Sequence, residues 1–277
     1  MAVTNFIQTI WSKKILDDLQ LKLKLVKNCH RAYQGDVKYA RTVKILGVGE
    51  PTISDYNGTT ALTYEAMSDK GQELVINQQK SFSFLVDDIN EAQSVPGLAE
   101  EYRKKAVHGL ATAADSYVAS LIKGVTAAAN VTTATAATGD AIKTAIDTAI
   151  VAMRERNFDE EGVVEVTPAV YNALKNVITD LSTNNPEYIT SGKIGNYDGF
   201  DVIMSNNMAK DTTGSGTKYA YCCVRGKKAI AFADQINEVE AFRHQDFFAD
   251  AVRGLYTYGG KVIDEKRIQV VKVPLAA

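Results

Sequence analysis

Chemistry near neutral pH would have to begin with His30, His108 and His244, the only histidines in the chain. They lie far apart in sequence, and no HExxH, CxxC or tightly spaced His/Cys/Asp group accompanies them, so neither a metal site nor a catalytic histidine is expected. His108 follows Val107 in a helical run and reads as a surface or interfacial residue. Paired carboxylates are the next resource for acid–base work. Asp87-Asp88 and Glu160-Glu161 are neighbours in segments of strand character, where successive side chains face opposite ways, so they read as solvated strand ends. The nucleophile elbow GxSxG is absent.

Phosphate cradles fare no better. Gly47-Val48-Gly49-Glu50-Pro51 lacks the third glycine of the dinucleotide fingerprint and puts Pro51 where a helix should start. Residues 210–218 (KDTTGSGTK) lack the order GxxxxGK[ST], and both segments read as turns. Cys29, Cys222 and Cys223 make an odd set without disulfide spacing and are expected as reduced thiols packed like small hydrophobes. Phe242-Arg243-His244 and Phe247-Phe248 offer aromatic and basic groups that could stack on single-stranded nucleic acid. Asp246 and Asp250 beside them favour packing or a subunit interface. No catalytic residue, cofactor or metal is implied by any of these groups, and an enzyme is not expected.

The elements behind these residues alternate in type. Apolar residues at Ile7, Ile10, Trp11, Ile15 and Leu19 have helical spacing, and Leu19, Leu21, Leu23 and Leu25 then alternate in strand fashion. Strands are expected at 39–48 (YARTVKILGV) and 73–86 (ELVINQQKSFSFLV), together a long β-hairpin or two-stranded excursion that needs a packing partner. From Pro96, the run Leu98, Tyr102, Ala106, Val107, Leu110, Ala113, Tyr117, Val118, Leu121 and Ile122 predicts one long amphipathic helix ending at Gly124. The Ala/Thr-rich segment 125–138 reads as extended or loop. Asp140 is the expected N-cap of a helix with Ile142, Ile146, Ala149 and Met153 on one face. A short strand at 161–166 leads to Thr167-Pro168, which opens a third helix through Val170, Leu174, Val177 and Leu181. Strands are then expected at 199–205, 219–224, 229–233, 238–242, 255–262 and 268–273. The class is α+β, with no internal repeat and no alternating βαβ rhythm.

Composition is that of an ordinary globular chain: 277 residues, 45% hydrophobic and 23% charged. No apolar run reaches the roughly 18 residues of a membrane span, and the start lacks a basic segment leading into an apolar one, so a soluble, unexported chain is expected. Net charge is −2 but uneven: up to Lys44 nine Lys/Arg face Asp17, Asp18 and Asp36, leaving +6 on this arm and −8 on the rest. Such an arm can lie across a neighbouring copy's acidic body, or simply form a solvated face. It is too weakly basic to condense nucleic acid by counterion release.

The most specific tract is 226–262, GKKAIAFADQINEVEAFRHQDFFADAVRGLYTYGGKV. An apolar run meets a turn, an acidic strand-like segment runs into paired aromatics, and the tract closes on Arg253-Gly254-Leu255 and Gly259-Gly260. With 6–16 (FIQTIWSKKIL), Asp55-Tyr56, 75–88 (VINQQKSFSFLVDD), 192–205 (GKIGNYDGFDVIMS) and the order of elements, it resembles the Hong Kong 97-type major capsid proteins of tailed bacteriophages, over nearly the whole chain. The resemblance implies an N-terminal arm (1–37), an extended β-hairpin loop (38–88), a peripheral domain (89–139) with a long spine helix (96–123), an axial domain (140–232) and a return to the peripheral domain (233–277).

It implies further that the chain assembles with itself into pentamers and hexamers of an icosahedral shell around a double-stranded DNA phage genome. DNA would be enclosed without sequence-specific binding and without a membrane, with assembly in the host cytoplasm and the virion capsid as final location. Scaffolding and portal proteins are implied partners and a decoration protein a further one; because the arm starts within a few residues of Met1, a separate scaffold is expected rather than a cleaved leader. Some relatives join Lys to Asn covalently; Lys70 and Lys80 fall in the loop region, but no pattern fixes such a site and none is expected. Candidate subunit-interface residues are Trp11, Tyr56, Lys70, Lys80, Glu240 and Arg253. Two other readings stay open at this point: an encapsulin-like nanocompartment shell, and an enzyme or small-molecule binding protein of unfamiliar α+β fold.

Overall fold

The computed structural model describes residues 18–19, 22–34, 42–45, 53, 71–87, 98–181, 195–211, 216–243 and 249–275. A six-stranded mixed sheet organises them, with strand order β4-β11-β8-β5-β7-β6. Its strands are β4 (Val131–Thr133), β5 (Gly162–Val166), β6 (Asn196–Tyr197), β7 (Phe200–Met204), β8 (Tyr219–Gly226) and β11 (Ile268–Pro274). β5 is buried along its whole length and β8 at all but Tyr219, as expected of central strands covered on both faces.

One face of this sheet is covered by α2 (Gly139–Arg154) and α3 (Pro168–Leu181). The expected stripe Ile142, Ile146, Ala149 and Met153 of α2 is buried there with Val170 and Leu174 of α3, against Val164, Val166, Cys222, Val224, Val271 and Val273. The opposite face packs against α1 (Leu98–Lys123) and an N-terminal strap through Leu23, Leu25, Val26 and Cys29. Its 26 residues make α1 about 39 Å long, and it also reaches a second sheet of order β3-β10-β9. There Tyr102 stacks on Phe84 of β3 (Gln78–Asp87), and Tyr117 meets Tyr258 of β10 (Ala249–Val262) edge-on at 5.4 Å. The third strand is β9 (Ile230–Arg243). A two-stranded sheet, β1 (Thr42–Ile45) with β2 (Gln72–Val75), packs Val43, Ile45 and Leu74 on Ala231 and Ala233 of β9.

Several expectations are corrected. The segment 73–86 is not one strand: β2 pairs with β1, and after Ile76-Asn77 the chain changes sheet and pairs with β10 as β3. The change falls at the start of 77–81 (NQQKS), a run polar throughout, where side-chain period gives no sign of which sheet the backbone joins. The strands expected at 229–233 and 238–242 are one continuous β9, because the polar stretch between them stays on the ladder at a register shift opposite Leu255/Tyr256. The Ala/Thr-rich segment, by contrast, is extended as expected at β4, an edge strand parallel to β11. Helix α2 starts at Gly139, with Thr138 at its N-cap and Asp140 in the first turn, where its charge suits the helix N-terminus. Among the described residues one βαβ unit is present, since β5 and β7 are parallel neighbours with α3 between them in sequence. The two-residue strand β6 was not foreseen; Asp198 (φ 51°) and Gly199 (φ 84°) turn it tightly into β7, both in the left-handed region of a primed hairpin turn.

Candidate functional site

The described surface with the character of an interaction site is the outer face of the three-stranded sheet. Pairing places Leu85, Ala251 and Phe242 in one row across β3, β10 and β9, and Ser83, Arg253 and Glu240 in the next. Side chains two apart share a face, so Leu255 joins them. Leu85 is 54% exposed and Phe242 42%, large apolar surface left open by the chain's own fold. Arg253 Nε donates to Glu240 Oε2 at 2.7 Å, and the same guanidinium lies 5.0 Å from the centroid of the Phe242 ring. A shallow groove of about 340 Å³ runs between Ser81, Phe82, Ser83, Glu240, Arg253 and Leu255.

Of the candidate interface residues, Glu240 and Arg253 are therefore brought together, directly opposite each other on β9 and β10. Lys80 is exposed on β3, opposite Tyr256 of β10. Trp11, Tyr56 and Lys70 lie outside the described residues. Among the histidines, His108 is exposed and His30 meets Tyr33 edge-on at 5.5 Å, while His244 lies outside the described residues. All three cysteines are buried as free thiols, and burial pushes Cys29 up to about 11 and Cys222 up to about 12.

Sequence reasoning missed the polar cluster that fixes the strap. Arg225 on β8 has its side chain fully buried and bonds Glu165 of β5 through two nitrogens, Nε to Oε2 at 3.0 Å and Nη2 to Oε1 at 2.6 Å. The remaining donors reach the strap: Nη1 to the Asn28 carbonyl at 2.8 Å and Nη2 to the Leu25 carbonyl at 3.0 Å. From the other side Asp115 of α1 accepts from the backbone N–H groups of Lys24, Leu25 and Val26 at 3.1, 3.0 and 3.2 Å. Burial raises the Asp115 carboxyl above its ordinary range, the three N–H groups and Asn207 working in the opposite direction. A charged residue inside an apolar run (YAYCCVRG) and an aspartate inside an amphipathic helix were the available signals, but their partners lie far off in sequence.

Among the described residues no group of His, Cys, Asp and Glu is arranged to hold a metal ion. No described helix is long and apolar enough to cross a membrane. No curated protein sequence matches the chain. Solved structures do. Mycobacterium phage Che8 is similar over 89% of this chain and 90% of its own, at 29% identity and a TM-score of 0.71. The capsid of the cyanophage P-SCSP1u matches over 86% and 84% at 17% identity with a TM-score of 0.68, and the capsid of an empty GTA particle over 92% and 90% at 14% identity with a TM-score of 0.63. At such identities these last two speak for the fold alone, the Hong Kong 97-type capsid fold, with its mixed sheets and long helix. The family model described as phage capsid protein matches residues 49–272, most of the chain. With that match and this fold, the chain belongs to the phage capsid protein family, as a structural protein of the virion shell and not an enzyme.

Proposed function

We propose that the chain is the major capsid subunit of a tailed bacteriophage, building pentamers and hexamers of an icosahedral shell around double-stranded DNA. The observation that carries this is the outer face of the three-stranded sheet, where Leu85, Phe242 and Leu255 stand open around the Arg253–Glu240 pair. A closed shell is made by heterologous contacts that repeat around rings, and each subunit covers such faces on its neighbours. Permanent contacts of this kind bury on the order of 2,000 Å² or more.

In this reading residues 1–37 form an arm and 38–88 an extended loop that lies on the next subunit. Residues 89–139, with spine helix 96–123, and 233–277 form the peripheral domain, and 140–232 the axial domain. Strand β11, within the final segment, is hydrogen-bonded to β8, so the returning chain would tie the two domains together. Trp11, Tyr56, Lys70, Lys80, Glu240 and Arg253 would lie at subunit contacts. A net charge of −2 would leave DNA enclosed rather than condensed or read. A scaffolding protein and a portal would guide assembly in the host cytoplasm, and a decoration protein could cover the finished shell.

Electron microscopy of the purified chain, alone and with a scaffolding partner, tests this reading. Closed icosahedral shells with pentamers and hexamers are the expected result. Persistent monomer with the partner present would overturn it, and shells that recruit an enzyme instead of DNA would indicate a nanocompartment.

A further inference from the structure

We propose that Asp115 and Arg225 form a two-ended latch on the strap, residues 22–30, which makes the strap a separately releasable segment that must be seated before a subunit can join the shell. The last clause rests on the capsid reading above; the latch itself does not.

A segment woven into a sheet is held by a ladder of main-chain bonds and leaves only when the sheet opens. Among the described residues the strap has one such bridge, at its end, where His30 N–H donates to Ile230 O at 2.8 Å and Phe232 N–H donates to His30 O at 3.0 Å. Within 24–28, apart from local turn bonds, the main-chain partners among the described residues are two side chains: three N–H groups are taken up by Asp115 and two carbonyls by Arg225. Both side chains belong to the body, one on α1 and one on β8, and both residues are about 1% exposed or less.

Half-release is unfavourable for a physical reason. Lifting 24–26 alone would strand a buried carboxylate without its three donors. Lifting 25–28 alone would strand two guanidinium donors beside Glu165. A buried charged group that loses its partners costs more than one ordinary hydrogen bond contributes. The strap therefore leaves as a unit or stays. Leu23, Leu25, Val26 and Cys29 fill one apolar core with Ala111, Ala114 and Val118 of α1, so departure would also open an apolar groove along the body. A subunit in that condition would expose a sticky surface, which is why seating would precede addition to the shell.

The test uses the full chain with Glu165→Met and Arg225→Met together. Removing both charges leaves no unpaired ion in the core but deletes both bonds to the strap carbonyls. We expect amides in β8 and β11 to stay protected from hydrogen exchange while those of Leu25, Val26 and Cys29 exchange at least about 10-fold faster. Trypsin should then cut after Lys24 or Lys27, whose side chains are exposed but whose backbone is held in the parent chain. No closed shells should form under conditions where the parent chain forms them. Asp115→Asn, which keeps an acceptor and loses the charge, should shift exchange in the same direction, and it carries the comparison if the double variant does not fold.

Strap amides as slow as in the parent, with the sheet intact, would overturn the latch, since apolar burial alone would then suffice. Exchange of strap and sheet at one common rate would overturn separate release. Normal shells with a released strap would overturn the seating requirement. If the parent chain and scaffold make no shells, the capsid reading falls while the exchange comparison still decides the latch.

Discussion

Cys222 and Cys223, adjacent in β8, end in different cores: Cys222 beneath α2 and α3, Cys223 beneath α1 and the strap. The alternation of a strand puts them back to back through the sheet. Burial raises both thiols, Cys222 to about 12, and Cys29 is raised to about 11 for the same reason. Thiolate, not thiol, is the reactive species. A disulfide reagent at pH 8 is therefore expected to modify none of the three in the native protein and all three after unfolding in guanidinium. Fast labelling of Cys223 in the native state would contradict a closed core beneath α1 and the strap.

The Arg225–Glu165 pair makes a sharper energetic prediction. Either Arg225→Met or Glu165→Gln leaves one charged partner in a site with no access to water, and each is expected to cost about 3–5 kcal/mol. Replacing both with methionine should cost less than either single change, because no buried charge is left over. Urea midpoints at constant slope measure this, and additive losses would show the pair to be uncoupled.

How far the sequence carries can be judged from particular elements. Helix α1 was legible because its apolar stripe persists over 26 residues, and α2 because all four residues of its expected face are buried. β5 and β8 were legible as short apolar runs. What stayed hidden has one cause: it depends on partners remote in the chain. β2 and β3 belong to different sheets although only Ile76 and Asn77 separate them. Asp234 sits mid-strand instead of in a turn because Arg31 and the Tyr256 hydroxyl hold its carboxylate. The Asp198-Gly199 pair, by contrast, is a local hairpin signal that could have announced β6. For the interaction face, the resemblance drew attention to 226–262, but only cross-strand register shows that Glu240 and Arg253 meet and that Phe242 shares their face.

Two glycines should respond oppositely to alanine. A Cβ on Gly259 would come within 2.3 Å of the Val75 carbonyl oxygen and 2.8 Å of the Ile76 Cα, backbone that cannot swing aside. Gly259→Ala is expected to cost about 1–3 kcal/mol by pushing β2 off β10. A Cβ on Gly109, inside α1, meets nothing within 4 Å, and Gly109→Ala should stabilise by about 0.5–1 kcal/mol. Thermal unfolding of the two variants side by side checks both signs.

Asp115 carries a pH dependence whose sign can be worked out. Its folded-state carboxyl lies above the ordinary 3.8, so the folded chain binds this proton more tightly than the unfolded chain does. The ionised form thus weighs against folding, and that burden is relieved as pH falls through the raised value. The stability of the parent chain relative to Asp115→Asn should decline as pH rises from the ordinary carboxyl value of 3.8 through the raised one, then level off. A relative stability that instead increased over this window would mean that the three N–H bonds outweigh burial.

The last prediction separates folding from assembly on the outer face of β3-β10-β9. Phe242 and Leu255 are partly exposed in the chain's own fold, so Phe242→Ser and Leu255→Glu remove little internal packing. Each should change stability by no more than about 1 kcal/mol, including the loss of the ring beneath Arg253 in the first. If the face is covered by a neighbour, the same substitutions bury a hydroxyl or a carboxylate at a contact repeated around every ring, and the penalty multiplies with the number of copies. Sedimentation should then find folded subunits or small rings where the parent chain yields shells. Normal shells from Leu255→Glu would place this face on the inner or outer surface of the capsid and move the contacts between subunits elsewhere.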